Sequence, residues 1–133
     1  MTAPLHLLVC MAVFTWIVLM LASLSRAKAW TPRGMLLALG NRADMPEPSA
    51  PAARLDRASR NTLENFLLFA ALVLAAHAAG TSSSQVTLGA QLFVWSRVAF
   101  VVIYWAGIPY LRTLAWGIGV AGLGLIAAAM LVR

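Results

Sequence analysis

The sequence predicts an all-α integral membrane protein whose transmembrane helices form a four-helix bundle in a single domain, residues 1–133. Two observations predict this fold class. The chain is 62% hydrophobic and only 11% charged, whereas soluble domains carry roughly 25% charged residues. The hydrophobic residues also fall into separate segments of about the length that crosses a bilayer, ~20 residues. These spans occupy about residues 5–24, 57–79, 86–108 and 113–132.

Each span is predicted from its own pattern. Residues 5–24 contain no Asp, Glu, Lys or Arg, and at ~1.5 Å per residue they cover ~30 Å of hydrocarbon. The second span must begin inside a charged stretch, near residue 57, because residues 66–79 are too few to cross alone. The third span carries Arg97 near its middle, and Pro109 is expected to end it. In the fourth span, small residues at helical spacing predict close approach of another helix: Gly117, Ala121, Gly124 and Ala128.

The loop over residues 25–56 sets the predicted orientation. It contains several basic residues, and the loop over residues 80–85 contains none. By the positive-inside rule, loops 25–56 and 109–112 are cytoplasmic and both termini lie on the opposite side. Residues 33–39 are expected to form a short interfacial helix, with Trp30 as its anchor. A further interpretation of this basic loop is that it attracts lipid or substrate.

Charge and cysteine content narrow the possible functions. The net charge of +6 does not by itself indicate nucleic acid, because the basic residues cluster as topology signals do; no nucleic-acid partner is expected. Cys10 is the single cysteine, which excludes an internal disulfide and a Cys-rich metal site. An isolated histidine such as His6 is a poor metal ligand, so no metal site is predicted.

A polar motif opens the second span. Arg57, Arg60, Asn61 and Glu64 fall at i, i+3, i+4 and i+7, so they share one face of a helix. Ionisable side chains inside a membrane need partners. We therefore expect a structural ion pair between Glu64 and Arg97 of the third span. Whether this pair serves only as a structural clamp is left open by the sequence.

The remaining polar side chains suggest an anionic ligand. Arg57, Arg60, Asn61, Tyr104 and Arg112 would have hydrogen-bond donors to spare. Arginine binds carboxylates through two parallel hydrogen bonds, so a small peptide-like anion fits this set. If the ligand also carries a thiol, a nearby arginine can lower the thiol's pKa and generate a thiolate nucleophile.

Two stretches carry a family resemblance. The second span reads Arg57-x-x-Arg60-Asn61-x-x-Glu64-Asn65-x-x-x-Phe69, and the third runs from Arg97-Val-Ala through Tyr104 to Leu111-Arg112. They resemble the second and third helices of the MAPEG family, the membrane-associated proteins of eicosanoid and glutathione metabolism. The number of spans and the chain length agree, so the resemblance covers nearly the whole chain. The resemblance is to a bacterial-type member and implies a bacterial inner membrane, in which the predicted orientation makes the termini periplasmic.

The resemblance implies a function. Family members are homotrimers that bind glutathione, as co-substrate, between neighbouring subunits near the cytoplasmic side. The implied activity is that of a glutathione transferase or peroxidase acting on hydrophobic electrophiles from the lipid. Arg112 matches the arginine proposed to activate the thiol and is the implied catalytic residue. The implied glutathione-binding residues are Arg57, Arg60, Asn61, Glu64, Tyr104, Thr113 and Trp116.

Departures from the family pattern leave alternatives open. Phe100 stands where the prostaglandin-synthase branch has a histidine, so that isomerase activity is not expected. The spacing from Tyr104 to Arg112 is one residue shorter than in some relatives. Because a fold does not guarantee an enzyme, a non-catalytic lipid- or ligand-binding protein of the same fold is an alternative. A small four-span transporter is less favoured, since the first span lacks an acidic residue.

Overall fold

A computed structural model of the protein describes residues 1–132 as a bundle of helices. In chain order these are α1 (Ala3–Ala27), α2 (Pro32–Leu39), α3 (Ala50–Ala78), α4 (Ser84–Ala106) and α5 (Pro109–Leu131). All except the short α2 are long and apolar enough to cross a membrane. The described part of the chain contains no strand. The predicted fold class, an all-α membrane bundle of four spans, is confirmed.

The second span begins earlier than predicted. We expected it near residue 57, but α3 starts at Ala50. The Ser49 hydroxyl accepts a hydrogen bond from the amide of Ala52 at 3.3 Å and caps the helix. Pro51 lies in the first turn, where a missing N–H costs nothing because that group has no intrahelical partner. Pro51, which falls in the predicted loop over residues 25–56, instead helps to start the helix.

The junction between α4 and α5 is tighter than predicted. Gly107 ends α4 with φ of 83°, a left-handed conformation that glycine adopts without steric cost. Pro109 then occupies the first turn of α5, whereas the sequence suggested a span beginning at residue 113. Arg112 therefore lies in the first turn of α5 and not in a loop.

A close helix contact joins α4 and α5 through glycines. A Cβ on Gly122 would lie 2.6 Å from the carbonyl oxygen of Gly89, and the reverse distance is also 2.6 Å. The predicted stripe does not make this contact, since nothing lies within 4 Å of a Cβ placed on Gly117 or Gly124. Each residue turns ~100° around the helix axis. Gly124 of the stripe, two residues after Gly122, therefore points in a different direction. The predicted stripe is left on the outside of the subunit.

The bundle interior joins all four long helices. Phe69 of α3 stacks on Phe93 of α4 with ring centroids 4.3 Å apart. Met11 of α1 and Ile126 of α5 are fully buried in the same cluster. A second cluster, which includes Leu55 and residues of α1, α4 and α5, lies towards the end that carries α2. This second cluster supports the polar side chains described next.

Candidate functional site

Three predicted residues meet where α3, α4 and α5 come together at the α2 end of the bundle. The Arg57 Nε donates a hydrogen bond to the Tyr104 hydroxyl at 3.2 Å, and its Cζ lies 6.0 Å from the centre of that ring. The Arg112 Cζ lies 4.5 Å from the same ring centre. Each helix thus contributes one side chain to a group that we call the Tyr104 cluster: Arg57, Tyr104 and Arg112.

The Tyr104 cluster carries uncompensated positive charge. Neither Arg57 nor Arg112 forms an ion pair within residues 1–132. Contact with an aromatic face stabilises a guanidinium by only ~0.5–2 kcal/mol and leaves its charge in place. Arg57 is exposed, while Tyr104 and Arg112 are half-buried. The cluster is therefore an accessible concentration of positive charge and hydrogen-bond donors, which is complementary to an anion.

A further arginine, not singled out by sequence reasoning, holds the end of α4 in place. The Arg54 Nε donates to the carbonyl oxygen of Trp105 at 3.0 Å. A cation is favourable there because carbonyl groups at a helix C-terminus have no intrahelical partner. A Cβ on Gly107 would lie 3.3 Å from the Arg54 guanidinium, so glycine leaves it room. No local pattern could have revealed this contact, since it joins residues far apart in the chain.

Arg97 is fully buried between helices. Its Nη1 donates to the Asn61 side-chain oxygen at 2.8 Å. Its Cζ lies 4.7 Å from the ring centre of Phe100 and 5.7 Å from that of Phe93. The Nε and Nη2 atoms have no hydrogen-bond partner within the described chain, and a Cβ on Gly119 would lie 3.4 Å from both. Aromatic faces and a glycine gap therefore accommodate this guanidinium.

The predicted ion pair between Glu64 and Arg97 is absent from the subunit described by residues 1–132. Arg97 contacts Asn61 instead, and the Glu64 side chain is exposed. Three residues advance a helix by ~300°, so Glu64 points ~60° away from Asn61, which faces α4. Sharing a broad helix face was not enough to predict which of the two side chains reaches Arg97.

The contact with Arg97 fixes the hydrogen-bonding role of Asn61. Its side-chain oxygen accepts from Arg97 at 2.8 Å and is 3.4 Å from the Asn65 Nδ2. Because an amide has one acceptor oxygen and one donor NH₂ group, the occupied oxygen leaves the NH₂ group of Asn61 as its available donor. Within residues 1–132 that group donates no hydrogen bond. The NH₂ group of Asn61 is therefore a donor that the described residues leave unused.

A family model described as the MAPEG family matches residues 3–132. The chain belongs to the MAPEG family. Comparison with curated proteins and with solved structures gives no match. The MAPEG family includes glutathione-dependent transferases and peroxidases as well as non-catalytic members.

Other predicted site residues of this MAPEG chain lie outside the Tyr104 cluster. Arg60 pairs with Asp56 at 3.1 Å, and its side chain is 74% exposed. Together with Arg26 and Arg42 it lines a hollow of about 370 Å³ between α1, α3 and the connecting segment. The expectation that Arg60 shares one site with Arg57 is therefore not met within the subunit, since Arg60 turns towards α1.

Two predicted residues follow Arg112 on α5. The Thr113 hydroxyl donates to the carbonyl oxygen of Pro109 at 3.3 Å, and Thr113 is exposed. Trp116 is 42% exposed. Within residues 1–132, no hydrogen bond, ion pair or ring contact joins either side chain to the Tyr104 cluster. Both lie on the outer surface of the subunit, where only a ligand, lipid or another subunit could reach them.

Proposed function

We propose that this MAPEG protein is a membrane-bound glutathione-dependent transferase or peroxidase acting on hydrophobic electrophiles. The observation that carries the proposal is the Tyr104 cluster, in which two arginines lie beside one phenol without an acidic partner among residues 1–132. Glutathione has two carboxylates and a thiol. Its negative charge would compensate the cluster, and its carboxylates suit the parallel donors of a guanidinium.

In this proposal the chain positions glutathione through donors on separate helices. Arg57 and the Tyr104 hydroxyl bind polar groups of the peptide, and Asn61 donates its amide NH₂ to a carbonyl or carboxylate oxygen. Support for the role of Asn61 comes from its side-chain oxygen, which Arg97 already occupies at 2.8 Å. Further glutathione contacts, supplied across the seam between subunits, are assigned to Arg60, Glu64, Thr113 and Trp116.

Arg112 is the proposed catalytic residue. Its guanidinium stabilises the glutathione thiolate, and the thiol proton passes to solvent. In the transferase reaction the thiolate sulfur forms a bond to an electrophilic carbon, and the leaving group departs with its electron pair. In the peroxidase reaction the thiolate sulfur attacks the terminal oxygen of a hydroperoxide and the O–O bond breaks. The departing alkoxide takes a proton from solvent, which leaves an alcohol and a sulfenic acid. A second glutathione then converts the sulfenic acid to a disulfide and water.

An open apolar groove supports a hydrophobic second substrate. It has a volume of about 450 Å³ and is lined by residues of α4 and α5 that include Leu88, Trp95 and Ile118. Ala115, also in its lining, lies one helical turn after Arg112. An electrophile dissolved in the bilayer would reach the α5 end of the Tyr104 cluster along this groove.

We also propose the assembly and orientation implied by the family. Three copies would form a homotrimer, because members of the family are usually trimers. The connection that carries α2 contains Lys28, Arg33 and Arg42. This charge favours a cytoplasmic position for the site and periplasmic termini in a bacterial inner membrane.

Turnover by the purified protein tests this function. Wild-type protein is expected to conjugate glutathione to a reactive chloronitrobenzene or to reduce a lipid hydroperoxide. Arg112→Ala should lower kcat by about 10²-fold or more, the magnitude seen when one transition-state donor is removed. Lys28→Gln, a cation remote from the Tyr104 cluster, should retain the wild-type rate.

The alternative is a non-catalytic ligand- or lipid-binding protein of the same family. Binding of glutathione without turnover would favour that alternative. An unchanged rate in Arg112→Ala would contradict the proposed role of this residue even if the enzyme is active. The accessible position of the Tyr104 cluster is compatible with both functions, so turnover is the measurement that separates them.

A further inference from the structure

The short helix α2 is held rigidly on the end of α1. The Thr31 hydroxyl accepts from the amide of Gly34 at 3.0 Å and caps α2. A Cβ on Gly34 would lie 2.0 Å from the Lys28 carbonyl oxygen, so only glycine allows this close packing. Arg42 donates to the Ser23 hydroxyl at 2.8 Å and ties the far end of the segment to α1. Residues 28–42, which we call the α2 arm, therefore have a defined position at one membrane end.

The outer face of the α2 arm is apolar. The exposed fractions are 71% for Trp30, 73% for Leu36 and 78% for Leu39, and Met35 is 45% exposed. These residues lie outside the four helices of membrane length. A helix that buries a glycine against the protein and turns large apolar side chains outwards requires an apolar medium on that outer side.

Two cations of the α2 arm have no partner. Within residues 1–132, neither Lys28 nor Arg33 forms a side-chain hydrogen bond or ion pair, whereas Arg26 donates to the Pro46 carbonyl oxygen. Lys28 and Arg33 line one hollow of about 270 Å³. Asp44 also lines this hollow but pairs with neither cation. The exposed apolar side chains do not line this hollow. Lys28 nevertheless lies two residues before Trp30, and Arg33 lies about one helical turn before Leu36, so the positive charge borders the apolar face.

We propose that the α2 arm docks onto the leaflet surface and selects anionic phospholipids. The apolar side chains enter the boundary between headgroups and acyl chains, and Lys28 and Arg33 contact headgroup phosphates. Basic and apolar residues placed side by side are the combination that binds anionic membrane surfaces. The lipid surface is favoured over a second protein copy because it supplies both partners at one height. Headgroup phosphates contact the cations, and acyl chains cover the apolar side chains. This inference does not depend on glutathione chemistry.

Quenching of Trp30 fluorescence by brominated lipids tests the proposal. The full-length protein is placed in phosphatidylcholine bilayers that contain a small fraction of brominated phosphatidylglycerol or, in parallel, of brominated phosphatidylcholine. The difference between wild type and Trp30→Phe isolates the Trp30 signal. We expect stronger quenching by the anionic lipid. Lys28→Gln and Arg33→Gln should each lower that preference about five-fold, the effect of one cation near an anionic surface.

A control variant and three defined outcomes decide whether the α2 arm selects anionic lipid. Arg54→Gln removes a cation at the same membrane end that is bound to the Trp105 carbonyl oxygen, and it should retain the lipid preference. Equal quenching of wild-type Trp30 by both lipids would overturn the proposed selectivity. Shielding of Trp30 from both lipids would show that protein covers this face and would also overturn the proposal. If Trp30→Phe does not fold, the relative retention of the two lipids by wild-type protein in native mass spectrometry decides the same question.

Discussion

Substitution of Gly122 by alanine tests the packing that joins α4 to α5. The added Cβ would lie 2.6 Å from the Gly89 carbonyl oxygen and 2.9 Å from the Phe93 amide nitrogen. Both are backbone atoms, so no side-chain rotation relieves the contact. The helices would have to separate by roughly 0.8 Å to restore ordinary van der Waals contact.

A second substitution in the same helix isolates this steric cost. Gly124→Ala adds the same Cβ where nothing lies within 4 Å. Both variants gain the ~1 kcal/mol by which alanine exceeds glycine in helix propensity, so that contribution cancels in the comparison. Overpacking costs ~1–3 kcal/mol. We therefore expect Gly122→Ala to be ~1–3 kcal/mol less stable than Gly124→Ala.

Thermal unfolding of the two detergent-solubilised variants measures the difference in their stability. Size-exclusion chromatography checks that both variants have the same oligomeric state. Because α5 carries Arg112 and α4 carries Tyr104, separation of the helices should also reduce glutathione-dependent activity in Gly122→Ala. Equal unfolding midpoints for the two variants would refute the proposed glycine contact.

Three further predictions concern individual contacts. Tyr104→Phe removes the hydroxyl that accepts from an arginine and should weaken glutathione binding about ten-fold in calorimetry; unchanged affinity would exclude that contact. In double-mutant cycles of the free energy of unfolding, Asn61→Ala and Arg97→Met should couple by ~1 kcal/mol or more, while Glu64→Gln and Arg97→Met should be additive. The reverse pattern would show that Glu64, and not Asn61, is the partner of Arg97. Gly107→Ala places a side chain at φ of 83° and should cost ~1 kcal/mol in thermal stability; a neutral effect would contradict the left-handed helix end.

The sequence predicted the parts of the fold that hydrophobicity determines. Four spans follow from segment length and composition, and the short helix expected over 33–39 is present as α2, Pro32–Leu39. Errors arose at helix starts. Pro51 and Pro109 fall in the predicted loops 25–56 and 109–112 but lie in the first turns of α3 and α5. Proline is favoured at this position, where its missing N–H has no intrahelical partner. Composition alone does not reveal on which side of a proline the helix lies.

Three side chains selected from the sequence lie together in the structure, but the sequence did not predict the partner of the buried arginine. Arg57, Tyr104 and Arg112 meet as a set of donors from three helices. The predicted partner of Arg97, Glu64, was wrong. Helical periodicity locates a face only broadly and does not give the rotation of one helix against another. Glu64 and Asn61 are both plausible partners by spacing, and packing against α4 selects Asn61.

The most direct test of the account is stabilisation of the purified protein by glutathione. A ligand at 100 times its Kd stabilises the folded state by ~2.7 kcal/mol, which raises the thermal unfolding midpoint. We expect this rise for wild type and for Lys28→Gln, and its loss in both Arg57→Gln and Arg112→Gln. No rise in wild type, or an undiminished rise in the two Tyr104-cluster variants, would contradict the claim that these arginines capture glutathione.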